Sequence, residues 1–125
     1  MIVDRKTKRI LCTAQGRGRR HDFHLFKESR TAIAPTIHMQ TDTGYQGLQK
    51  LHANCSLPKK KSKKHPLTTA DKKTNGTIAS SRITVEHVIG RLKIFRILSE
   101  RYRNRRRRFG LRFNLIAGIY NASLK

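Results

Sequence analysis

Val85, Val88, Ile89 and Leu92 recur at the three- and four-residue spacing that puts side chains on one face of an α-helix. That run requires a long amphipathic helix in the third quarter of the chain, and the other elements must give its apolar face something to pack on. Thr68 or Thr69 can cap its start, so the helix is expected over about 68–98, with Gly76 a candidate interruption. Upstream, the period changes to that of extended chain. Ile2-Val3 and Ile10 to Ala14 are strand-like runs on either side of a polar turn, Asp4 to Arg9, which is the pattern of a hairpin. Ile37 to Thr41 reads as another strand, ending at Asp42 before the glycine-bracketed Gly44-Tyr45-Gln46-Gly47, and a last short strand is expected near Asn54 to Leu57. A glycine-arginine loop at 16–20 leads to a short helix from His21-Asp22, with Asp22 as N-cap and Phe23, Leu25 and Phe26 facing inward. A final helix carries Leu111, Leu115, Ile116 and Ile119 at helical spacing. No segment repeats. The order makes the class α/β, a small mixed sheet with flanking helices.

Charge narrows the partners. The chain has 125 residues, enough for one domain, and 29 Lys and Arg stand against seven Asp and Glu, a formal net charge of +22. Folding asks for no such excess, because like charges on a compact body repel. Nucleic acid accounts for it best, since each neutralised phosphate releases counterions. Two basic stretches concentrate the charge, a loop over 59–67 and an arginine tract over 101–108. Solvated charge runs are their ordinary reading. Their density makes Lys60, Lys61, Arg103, Arg105, Arg106, Arg107 and Arg108 candidate DNA contacts, of the kind that give affinity and little sequence information. An anionic membrane is the rival polyanion, but there is no long apolar run and no lipid-facing amphipathic segment. The start MIVDRKTKR lacks an apolar h-region, so a cytoplasmic, nucleoid-associated setting is the default expectation. Cys12 and Cys55 lack any C-x-x-C partner and read as reduced, packed thiols.

Scarcity makes each carboxylate informative. Glu86 lies on the long helix with Arg82 one turn back and Lys93 two turns on, and Gly90 leaves that stripe open. An exposed ion pair satisfies this spacing by itself. The sharper reading is a carboxylate that shares a divalent cation, with basic neighbours holding the phosphate being cut. Asp42 ends a strand beside glycines, a common metal-binding position in open α/β sheets, although Asx-turn chemistry places Asp there equally well. Magnesium takes hard oxygen ligands and needs few of them from protein.

HDFHLF, TDTGYQG and R-ITV-E-HVIGRL-K, followed by FRILSERYRNRRRRFGLRFNLIAGIYN, resemble the C-terminal part of DDE transposases of the insertion-sequence-five-like group, relatives of the Harbinger-type DDE endonucleases. Arg82, three residues, Glu86, six residues and Lys93 match that group's spacing, while Ala79 stands where a tyrosine often precedes the arginine. The resemblance covers nearly the whole chain. It implies a ribonuclease-H-like mixed sheet in which Asp, Asp and Glu hold divalent ions, Mg2+ or Mn2+, that activate water or a DNA 3′-hydroxyl. By resemblance Asp42 is the second acid and Glu86 the third, and Arg82 and Lys93 contact transposon-end DNA or the transferring phosphate. His21-Asp22 matches an HD pair of the group, without a chemical task attached.

The first acid of that pattern sits on a central strand upstream of the hairpin. Here the chain opens on what reads as the second strand, and Asp4 enters a turn where Asp is locally favoured. Residues 1–125 are therefore expected to be the C-terminal part of a catalytic domain lacking its first central strand, either truncated or linked by frameshifting to an upstream part. The intact protein is expected to be a metal-dependent DDE transposase that cleaves and joins DNA at transposon ends and target, as a homodimer in a synaptic complex. The alternative is a non-catalytic basic nucleic-acid-binding protein or a transposase-derived regulator.

Overall fold

The computed structural model describes residues 1–16, 18–100 and 108–125. Its strands are β1 (Ile2–Val3), β2 (Ile10–Cys12), β3 (Met39–Gln40) and β4 (Cys55–Ser56), and its helices are α1 (Asp22–Glu28), α2 (Thr69–Leu92), α3 (Arg96–Ser99) and α4 (Phe109–Ser123). The strands form two two-stranded sheets, β1 with β2 and β3 with β4. The chain divides into two compact units, Met1–Gln15 with Ile83–Lys125, and Gly16–Arg82.

In the first unit β1 and β2 pair antiparallel, Ile2 opposite Cys12 and Val3 opposite Ile10. Asp4 builds their turn: its carboxylate accepts the Thr7 hydroxyl at 2.6 Å and the Lys6 N–H at 2.9 Å. Those two bonds, Thr7 first, hold its carboxyl below the usual carboxylate range. Asp4 thus takes the turn role expected of it. Such short strands make few ladder bonds, and α4 completes them. The Asn121 side chain bonds both backbone groups of Ile10, accepting its N–H at 2.9 Å and donating to its carbonyl at 2.8 Å. Tyr120 donates its hydroxyl to the Lys8 carbonyl at 3.1 Å, and the Thr13 hydroxyl donates to Asn114. Ile10, Val88, Leu92, Ile116, Ala117 and Tyr120 form the buried cluster.

Two expectations are corrected here. Of the four apolar residues read at helical spacing on the last helix, only Ile116 is buried; Leu111 and Leu115 are 71% and 65% exposed and Ile119 is exposed as well. Asn114 and Asn121, two turns apart, must both meet β2, and the face they share with Ile116, Ala117 and Tyr120 rotates the leucine stripe outward. The long helix ends at Leu92 rather than near 98, turns at Lys93–Phe95 and restarts as α3. Continued straight, it would swing Ile97 and Leu98 off the Val88–Leu92 face; the break lets both pack on the core. Gly76 does not interrupt α2.

In the second unit β3 and β4 pair parallel, Met39 opposite Cys55 and Gln40 opposite Ser56. His38 bridges their ends, with Nδ1 2.7 Å from Asn54 Oδ1 and Nε2 2.8 Å from Ser56 Oγ. The buried His52 donates Nε2–H to the Ile37 carbonyl at 2.7 Å. The N-cap of α1 is His21, not Asp22: His21 Nδ1 accepts the Phe23 N–H, and Asp22 is the first helical residue, where a negative charge suits the helix dipole. Phe23, Leu25 and Phe26 are half-buried, and Tyr45 packs against both phenylalanines with centroids 5.7 and 6.2 Å away. Leu48 is fully buried.

Asn121→Ala leaves two backbone groups of Ile10 without partners, so it is expected to destabilise the fold by about 2–4 kcal/mol. Urea unfolding measures this, and the Ile10 amide should exchange faster with solvent; an unchanged midpoint contradicts the clasp.

Candidate active site

The chain leaves β3 extended, with the Thr41 N–H bonded to the Ser56 carbonyl at 3.2 Å, and Asp42 then caps a single 3₁₀ turn, Thr43–Tyr45. Its Oδ1 accepts the Gly44 N–H at 2.9 Å, while its Oδ2 lies 3.9 Å from the Arg82 guanidinium. Turn chemistry therefore fixes this carboxylate and engages one oxygen, leaving the second against a cation. The side chain is 37% exposed. Gly44 has no positive φ, so its backbone does not require glycine; space does. A Cβ there would lie 3.1 Å from Asp42 Oδ1 and 3.5 Å from the His21 ring. Gly47 is the turn's second glycine, and its φ of 94° does favour glycine. The Tyr45 phenol is pushed up by burial and, after that, by the charges of Asp22 and Asp42, which places both carboxylates in its neighbourhood.

One continuous helix, α2, carries Arg82 and Glu86. The exposed ion pair that their spacing permits does not form. Arg82 turns to Asp42 instead, and Glu86 has no hydrogen bond or ion pair among the described residues. Glu86 borders an open groove of about 360 Å³ with Lys8, Gly90, Arg91 and Tyr120. A Cβ at Gly90 would meet nothing within 4 Å, in keeping with an accessible stripe. Lys93 is the first residue past α2, still in helical register through its N–H bond to the Ile89 carbonyl at 3.0 Å, and its side chain is exposed.

Among the described residues no three His, Cys, Asp or Glu gather into a metal-ligand cluster. The donor chemistry of the two acids nevertheless suits a hard cation: among the described residues Asp42 Oδ2 faces Arg82, and the Glu86 carboxylate has no partner. Mg2+ retains several waters and needs only one or two carboxylates from protein. The thiols offer no alternative, since they form no disulfide and burial pushes Cys55 up, away from the thiolate.

The basic loop is anchored rather than loose. Asn75 on α2 clasps Lys59, accepting its N–H at 2.9 Å and donating to its carbonyl at 3.0 Å. Lys59 Nζ lies 2.9 Å from Asp71. Asp71 in turn forms a capping box with Thr68, bonds of 3.1 and 3.3 Å closing the start of α2. Lys60 and Lys61, which follow the anchored Lys59, are exposed. A Thr-x-x-Asp spacing was there to be read; Asn75 has no sequence signal. Arg108 begins α4, exposed and without a capping bond of its own, whereas Arg103, Arg105, Arg106 and Arg107 lie outside the described residues. No helix among the described residues is long and apolar enough to cross a membrane.

A family model described as DDE superfamily endonuclease matches residues 1–121. The chain is also 49% identical over 124 residues to a protein of Microchaete diplosiphon named as a probable transposase for insertion sequence element IS702. That match covers 99% of this chain and 45% of the relative, so the chain spans about half the length of the curated relative it matches. No solved structure matches the chain.

The Asp71 clasp has a pH signature. The Lys59 ammonium first, and the Thr68 N–H after it, hold the Asp71 carboxyl below the usual range. With its folded value depressed, its contribution to stability is fully present above about pH 4, near the unfolded carboxylate value. It is lost as pH falls through the folded value. An NMR titration should place Asp71 below an ordinary aspartate, and Lys59→Met should bring it back up; an unshifted Asp71 contradicts the ion pair.

Proposed function

The chain belongs to the DDE superfamily endonuclease family, and from that premise we propose that it is part of a transposase that cuts and joins DNA with divalent metal ions. One observation carries this reading beyond family membership: Arg82 leaves its helical neighbour Glu86 and faces Asp42 at 3.9 Å. A surface ion pair would have satisfied both charges within the helix. Arg82 instead stands beside a turn-fixed carboxylate, and Glu86 keeps both oxygens available. Asp42 and Glu86 are the residues that would hold the ion, Mg2+ or Mn2+. Such an ion supplies Lewis-acid activation of a phosphodiester and its attacking hydroxyl.

The chain's own residues then divide the remaining work. Arg82 offers a planar, permanently charged fork to the phosphate beside Asp42. Lys93 extends the basic stripe one turn past Gly90. Lys60, Lys61 and Arg108 contact the DNA backbone, as do Arg103, Arg105, Arg106 and Arg107 on the strength of their sequence. In this reading the chain contributes to a ribonuclease-H-like α/β core, with transposon-end and target DNA as substrates and a second copy in the synaptic complex. Activity belongs to a protein of the relative's length, since the chain spans 45% of it. A non-catalytic basic DNA-binding role is the second reading, favoured by the lack of a three-ligand cluster among the described residues.

In a transposase of the relative's length carrying this chain, Asp42→Asn or Glu86→Gln is expected to lower Mg2+-dependent strand cleavage by roughly 10²–10³-fold. DNA affinity should hold within about twofold, because neither acid is a phosphate contact. Cleavage at the wild-type rate in both variants favours the non-catalytic reading. Replacing Lys60 and Lys61 together with Ala should reduce the slope of log affinity against log salt by about 1.8, two phosphates' worth. An unchanged slope removes the basic loop from the DNA interface.

A further inference from the structure

We propose that His21 is a substrate-contacting residue of the Asp42 site, its Nε2–H donating to a non-bridging oxygen of the DNA phosphate taken there. The proposal rests on reading Asp42 as a metal-holding carboxylate and adds a group to that site. Three features carry it.

The ring is fixed, and so is its proton. His21 caps α1 from extended backbone, φ −69° and ψ 137°, and Nδ1 accepts the Phe23 N–H at 3.3 Å. A nitrogen that accepts a hydrogen bond carries no proton, so the neutral imidazole holds its proton on Nε2. Nε2 has no hydrogen-bond partner among the described residues, which leaves a donor on offer.

The ring and the carboxylate flank one glycine. The point where a Gly44 Cβ would sit is 3.1 Å from Asp42 Oδ1, 3.5 Å from His21 Cε1 and 3.8 Å from His21 Nε2. The backbone at Gly44 does not itself need glycine, and a Cβ there would be tight against Asp42 Oδ1 and in ordinary contact with the His21 ring. Arg82 stands at the carboxylate's other oxygen, 3.9 Å from Oδ2. The imidazole and Asp42 Oδ1 thus both border the Gly44 position, and a guanidinium stands near Oδ2. Donors gathered around a cation-holding carboxylate suit an anion with several acceptor oxygens, and a phosphodiester is that anion.

Capping alone is a poor account of His21. Asn, Asp, Ser and Thr make the stronger N-caps, and any of them would serve α1 better. The imidazole adds a second nitrogen one ring-width further out, facing the site.

Variants and a small probe separate this proposal from the reading beneath it. Mn2+ added to the labelled chain should broaden the Gly44 amide resonance, and Asp42→Asn should relieve the broadening. Thymidylyl-thymidine, a single DNA phosphodiester, added with Mg2+ should then shift the ring C–H signal of His21 and leave those of His24, His38 and His65 in place. His21→Asn keeps a good cap, so melting should be unchanged, while dinucleotide binding followed at Gly44 weakens about fivefold, the loss of one hydrogen bond. A silent His21 ring, or full affinity in His21→Asn, with Gly44 still broadened by Mn2+, overturns the role of His21 and leaves Asp42 standing. A Gly44 amide untouched by Mn2+ overturns the Asp42 reading and this proposal with it.

Discussion

Strands of two or three residues have too few ladder bonds to hold themselves, and side-chain amides complete them. Asn121 takes both backbone groups of Ile10, and Asn75 takes both of Lys59. Asn54 and His38 tie the ends of β3 and β4 together. Each clasp pairs both backbone groups of one residue, as a neighbouring strand does for a longer segment. The consequences reach well beyond the bonds. The clasp on Ile10 decides which face of α4 is buried. The clasp on Lys59 anchors the start of the basic loop to α2.

Against 29 Lys and Arg, the seven acids have sharply defined uses. Asp4 shapes the hairpin turn, Asp22 sits in the first turn of α1, Asp71 closes the start of α2 onto Lys59, Glu28 meets Arg20 and His24, and Glu100 faces Arg96. Those are structural tasks. Asp42 is different, because the turn engages one of its oxygens only, and Glu86 is engaged by nothing described. Under the proposed function, the net charge would tie metal binding to DNA binding. A divalent cation approaching a body of formal charge +22 meets repulsion, and a phosphate backbone laid along the basic surfaces removes it. Metal and DNA should therefore favour one another's binding, with Arg82 and Asp42 at the meeting point.

Much of the local structure was legible because it follows from spacing. The hairpin around Asp4–Arg9, the strand ending before Asp42 and the start of α2 near Thr69 all lie where period and turn chemistry put them. The illegible parts turn on contacts distant in sequence. Leu111, Leu115 and Ile119 make as good a helical stripe as Phe113, Ile116 and Tyr120, and only the partners of Asn114 and Asn121 decide between them. No glycine or proline marks the stop after Leu92; the packing of Ile97 and Leu98 sets it. At the site, the sequence singled out Asp42, Arg82 and Glu86 but offered Arg82–Glu86 as the natural pair. His21 was visible as a helix start and as part of an HD pair without a task, since its approach to Gly44 comes from folding a loop back by more than twenty residues.

The central proposal is that Asp42 and Glu86 are metal-holding carboxylates of a protein that cuts DNA. Anomalous scattering from Mn2+ in crystals of a DNA-bound transposase of the relative's length, carrying this chain, tests it most directly. A peak about 2.1 Å from a carboxylate oxygen of Asp42 or of Glu86 is the expected result. No peak at either acid, with Arg82 still facing Asp42 and the DNA held by lysines and arginines alone, would contradict the account and leave a protein that binds DNA without cutting it.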